Sequence, residues 1–86
     1  MPKISEFYGI SIYMYWGEHG VPHFHAVYGG YAASFAIETL EMLAGQMPPR
    51  AISLIREWAE MHKKELMENW ERAKKHQELK KIPPLE

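Results

Sequence analysis

Apolar and polar side chains alternate along residues 10–16. Ile10, Ile12, Met14 and Trp16 interleave with Ser11, Tyr13 and Tyr15, and this period of two predicts a β-strand. Gly17, Gly20 and Pro22 then mark a loop. A second strand is expected over His23 to Tyr28, and Gly29-Gly30 fits a two-residue hairpin turn of the primed type. The third strand then runs from Tyr31 to Ile37, Glu38 to Leu40 connects, and Glu41 to Ala44 forms a short fourth strand ending at Gly45. With the turn at Gly29-Gly30, Tyr28 faces Tyr31, Ala26 faces Ala33 and Phe24 faces Phe35. That apolar face is expected against a helix. His23, His25 and Val27 leave from the other face, opposite Ala36, Ser34 and Ala32, and a slip of one residue would exchange the two faces.

After Pro48-Pro49 the periodicity becomes helical, a proline being well suited to a first helical turn. Ile52, Ile55, Ala59, His62, Leu66, Trp70 and Ala73 fall on one stripe, flanked by Ala51, Trp58 and Asn69. Glu57, Lys64, Glu68, Glu71 and Lys75 occupy the opposite side, and Glu60–Lys64, Glu68–Arg72 and Glu71–Lys75 are supporting i,i+4 pairs. The remainder is a proline-stiffened tail able to dock through Leu79, Ile82 and Leu85. These patterns predict one α+β domain over residues 1–86: a β-meander over 1–46, a helix over 48–75 and a tail over 76–86. Its antiparallel sheet of three to four strands packs on one long C-terminal helix.

Composition narrows the function classes. Eighty-six residues hold a single core, and the absence of cysteine removes disulfides, thiolate metal sites and a thiol nucleophile. There is no aspartate, so a Ser-His-Asp triad is excluded, and no apolar run reaches the roughly 18 residues of a membrane span. The first residues lack the apolar core of a signal peptide, and a cytoplasmic location is expected. The formal charge of −1 divides unevenly: residues 1–46 carry Lys3 against four glutamates, and residues 47–86 carry nine Lys and Arg against seven. No continuous basic face of the kind that marks a dedicated nucleic-acid binder follows from this.

The candidate chemistry is concentrated in Glu18-His19-Gly20-Val21-Pro22-His23-Phe24-His25. Imidazole both titrates near neutrality and binds transition metals when neutral. His23 and His25, at i and i+2 on a strand, have the spacing to share one ion such as zinc, with His19 as a third ligand and Glu18 as a carboxylate alternative. The same rings can act as general acid and base, with Tyr13 or Tyr15 and Arg50 orienting an anionic group, a set suited to cleaving the RNA phosphodiester. They can equally be solvated or hydrogen-bonded loop residues, or part of a protein interface. His62, within the helix stripe, is expected to be a satisfied core histidine, and Asn69 a satisfied polar core residue.

Ile4-Ser5-Glu6-Phe7-Tyr8-Gly9-Ile10, Glu18-His19-Gly20-Val21-Pro22-His23-Phe24-His25-Ala26, Tyr28-Gly29-Gly30, Pro49-Arg50-Ala51, Glu57-Trp58-Ala59, Glu68-Asn69-Trp70 and Ile82-Pro83-Pro84-Leu85 together resemble a family of small bacterial proteins, domain of unknown function 4160. The family commonly has an aspartate before the first histidine and a Pro-Pro pair in the loop, where this chain has Glu18 and Val21-Pro22. The resemblance implies a toxin–antitoxin-like protein acting through a small protein partner, and it assigns no catalytic residue. A homodimer is a further expectation, since an open sheet invites pairing.

Overall fold

The computed structural model describes residues 2–86. Five strands form one antiparallel meander in the order β1-β2-β3-β4-β5: β1 Lys3–Phe7, β2 Ile10–Tyr13, β3 His23–Tyr28, β4 Tyr31–Ala36 and β5 Met42–Gly45. The α+β class expected from the sequence is present, with one strand more than its three to four. β1 lacks strict alternation, because a register irregularity between Lys3 and Ser5 puts Ile4, Ser5 and Phe7 all inside. Its hairpin to β2 turns on Tyr8 (φ 51°) and Gly9 (φ 79°), the two positive φ values of a primed turn. β2 stops at Tyr13, short of the expected Trp16, whose indole instead donates to the Gln77 carbonyl at 2.8 Å.

β3 and β4 pair as the Gly29-Gly30 turn requires, with Phe24 opposite Phe35, Ala26 opposite Ala33 and His25 opposite Ser34. Phe24, Ala26, Ala33 and Phe35 are buried with Ile10, Ile12 and Met14 of the β2 segment, and the helical layer covers this face. Trp58 is the hub of the core: its ring centroid lies 5.3 Å from Phe7 and 5.8 Å from Phe24, and its indole N–H donates to the Pro83 carbonyl at 2.8 Å.

The single long helix of the sequence reading is two helices, α1 Pro49–Met61 and α2 Lys63–Lys74. The break is His62, at φ −125° and ψ 25°. Its backbone N–H bonds the carbonyl of Ala59, three residues back, and its Nδ1 lies 2.6 Å from the Glu65 carboxylate. The side chain is hydrogen-bonded as expected, yet it sits at the margin of the core beside Trp58 rather than within it. Amphipathic periodicity passes through such a break undisturbed, since only one residue leaves helical geometry.

The tail returns along the outer edge of β1. The Ile82 N–H donates to the Ile4 carbonyl at 2.8 Å, and Ile82 and Leu85 are buried. Asn69, buried on α2, holds the tail from both sides: its Nδ2 donates to the Lys80 carbonyl at 2.8 Å and its Oδ1 accepts from the Lys80 N–H at 2.9 Å. At the other edge, Gly45 (φ 92°) passes so close to β4 that a Cβ there would overlap the Ala32 carbonyl oxygen.

Two substitutions test this framework. Asn69→Ala removes two backbone hydrogen bonds and should cost about 2 kcal/mol in denaturant unfolding, with faster proteolysis of the tail. Gly45→Ala should cost more than about 1 kcal/mol, because both the space and the backbone angle exclude a side chain.

Candidate metal centre

Because Phe24 and Ala26 point into the core, the pleat sends His23 and His25 to the opposite face. The 14–22 loop brings a carboxylate to meet them. Gly17, at φ 78°, turns the chain after Trp16, and Glu18 folds back over the start of β3. One carboxylate oxygen of Glu18 lies 2.9 Å from Nε2 of His25 and the other 3.2 Å from Nε2 of His23. The ligand atoms of these three residues lie within 4.8 Å of one another, the one such metal-competent group among the described residues.

The opposite nitrogen of His23 decides what the cluster can do. Nδ1 lies 2.8 Å from the Val21 carbonyl, which can only accept, so Nδ1 carries a proton. A neutral His23 therefore presents the lone pair of Nε2 to Glu18, and two acceptors face each other unless a cation lies between them. That cation is either a proton, on the ring or on the carboxyl, or a bound ion. A ring nitrogen fixed by a backbone carbonyl while the other faces the centre is the usual outer-shell arrangement of metal-bound histidine.

The surroundings are aromatic on one side and open on the other. The rings of His23 and His25 are 5.2 Å apart and nearly perpendicular, Trp70 of α2 lies 5.1 Å from His23, and Tyr15 stands edge-on 4.7 Å from His25. The side chains of His23 and His25 remain 13% and 28% exposed, so the centre is shielded without being sealed. Beside His25 the sheet face forms a shallow hollow of about 280 Å³ floored by Val27, Ala32, Ser34 and Ala44. Burial pushes the Glu18 carboxyl up, but hydrogen bonds from His25 and His23 and their positive charge outweigh it and hold the group below its ordinary 4.5. The Tyr15 hydroxyl is raised by burial and by the nearby Tyr13 and Glu18.

The structure thus gathers Glu18, His23 and His25, and sets Tyr13 directly across from His25 in the β2–β3 register. His19 is exposed on the loop, outside the converging group. Arg50 is exposed in the first turn of α1, in a separate hollow with Tyr8 and Tyr28 at the opposite end of β3. Trp70, read from the sequence only as core, is a wall of the centre. The expectation that both imidazoles stand clear of the helical layer is corrected there: the end of α2 reaches the loop, with the His76 ring close to Gly17 and Gln77 bonded to Trp16.

A small α+β domain in which a loop carboxylate and two strand imidazoles converge beside Trp70 of α2 is the class that fold and site define. The chain belongs to the family described as domain of unknown function (DUF4160), whose model matches residues 9–71, a span that contains the whole cluster. No curated protein and no solved structure is significantly similar to it.

The depressed Glu18 carboxyl fixes the sign of an acid effect. Its stabilising contribution is present above its ordinary 4.5 and is lost as pH falls through the lower value of the folded chain. Denaturant unfolding of wild type and Glu18→Gln should therefore differ near neutrality and converge on acidification. A gap that did not narrow as the pH fell below 4.5 would contradict this.

Proposed function

We propose that this protein binds one divalent transition-metal ion through Glu18, His23 and His25. The observation that carries the reading is the mutual spacing of the three donors together with the Val21 carbonyl behind His23. Ligands about 2.1 Å from an ion stand roughly 3.0 to 3.4 Å apart in octahedral or tetrahedral geometry. The Nε2-to-carboxylate separations, 2.9 and 3.2 Å, already approach those edges. Little movement is needed for an ion to replace the shared protons.

Two histidines and a carboxylate suit zinc or ferrous iron, and three protein ligands leave positions open, as in catalytic rather than structural sites. Of the three residues that would hold the ion, His25 borders the shallow hollow, where Tyr15 forms a wall. An ion held there supplies a Lewis acid, or a water of lowered pKa, to a small substrate or a partner's side chain. Val21 fixes the His23 tautomer, and Trp70 and Tyr15 limit access of water to the rings. We place this reading above RNA cleavage by the histidines alone, because the cation assigned to the phosphate, Arg50, belongs to a different hollow at the other end of β3. A toxin–antitoxin-like role through a partner protein is compatible with it and rests on the family resemblance.

Calorimetric titration of tag-free protein with Zn(II), and with Co(II) followed by its visible absorption, tests the proposal. One equivalent should bind. Glu18→Ala, His23→Ala and His25→Ala should each weaken binding at least about tenfold, whereas His19→Ala should leave it unchanged. Binding that survives loss of both His23 and His25, or no binding at neutral pH, would sink it.

A further inference from the structure

The two edges of the sheet are treated differently. Along β1 the tail supplies a backbone donor, Ile82 to Ile4, and a lysine, Lys81, whose Nζ bonds the Lys3 carbonyl at 2.8 Å. Lys3 and Glu6 add charge to that edge, a usual defence against strand pairing. β5 has none of these. All residues from Glu41 to Gln46 are exposed, the strand itself holds no charge and no proline, and Leu43 is 45% exposed. Its flanking backbone bonds, Ala36 N–H to the Glu41 carbonyl and Gln46 N–H to the Ala32 carbonyl, both run inward to β4. Among the described residues, no strand lies on the outer side of β5. Leu43 also borders a mainly apolar hollow with Val21, Pro22 and Ala36.

We propose that β5, in which Leu43 is an extra residue between Met42 opposite Phe35 and Ala44 opposite Ser34, pairs with β5 of a second copy of this chain, antiparallel about a two-fold axis between Leu43 and Ala44. This pairing rests on the sheet edge alone and is independent of ion binding. In this register the strand is complementary to itself in size and in charge. Met42 of one copy faces Gly45 of the other and Leu43 faces Ala44, so each large side chain meets a small one. Glu41 faces Gln46, and no like charges oppose each other. The interface is isologous and closes at two copies. One sheet then continues through both chains, and the hollows beside the two His25 rings, each bordered by Ala44 and Gly45, flank the common seam.

Sedimentation equilibrium of the full chain, with and without added Zn(II), tests the pairing. Wild type should be a dimer in the micromolar range under both conditions. Leu43→Lys, at an exposed side chain, should weaken association at least about tenfold while its thermal unfolding stays that of the wild-type monomer. Gln46→Lys should tighten the dimer about two- to fivefold at low salt by opposing Glu41, and Gln46→Glu should loosen it comparably. This opposite pair of effects keeps the register testable even if Leu43→Lys fails to fold. A monomer at millimolar concentration, or a dimer indifferent to the Gln46 substitutions, would overturn the proposal.

Discussion

Burial of Trp58 between sheet and helix is the contact on which the remaining architecture depends. The indole touches Phe7 of β1 and Phe24 of β3, neighbours His62 at the helix break, and donates its one proton to the tail at Pro83. An aromatic ring of this size buries a large apolar area, and its N–H demands a partner once inside. By accepting Phe24 it also sets the phase of the β3 pleat. His23 and His25 must then face outward, because period-two geometry allows no other choice. A packing requirement on one side of the sheet thus dictates where the titratable groups stand on the other.

The outward face is organised by a single carboxylate. Glu18 reaches both imidazoles at once, and the partly enclosed setting strengthens those contacts relative to open water. The same enclosure penalises its charge, and the two rings outweigh that penalty. With protonated rings the cluster is a network of charge-assisted hydrogen bonds; with His23 neutral its Nε2 lone pair faces the carboxylate, while the His25 Nε2–H can still donate to Glu18. Tyr15 packs on His25 and Trp70 of α2 on His23, so the geometry does not depend on the loop alone.

Much of this was legible in residue order, and the departures have local causes. The Gly29-Gly30 turn fixed a register that the contrast between Phe24/Ala26 and His23/His25 could then orient. β1 was hidden because an irregular register buries two adjacent residues, and because Tyr8-Gly9 is a less recognisable primed turn than Asn-Gly. The helix break leaves no trace in the apolar stripe, since His62 departs from helical angles while α2 resumes immediately through the Leu66 N–H to its carbonyl. Within the loop, spacing alone did not rank His19 against Glu18. Loop conformation decides between adjacent residues, and no periodicity governs it. Arg50 was grouped with the histidines only by chemistry, and its helix starts at the far end of β3.

The tail that Asn69 clamps against the first strand has a consequence for the solubility of the chain. A sheet with one uncovered margin can join a single neighbour and is then finished. Clipping the polypeptide near Leu79 would strip the cover from the opposite margin and leave each molecule able to add neighbours on both sides. Growth of that kind has no natural stopping point, and fibres are its outcome. The last few residues therefore cover the β1 margin as well as bracing the core.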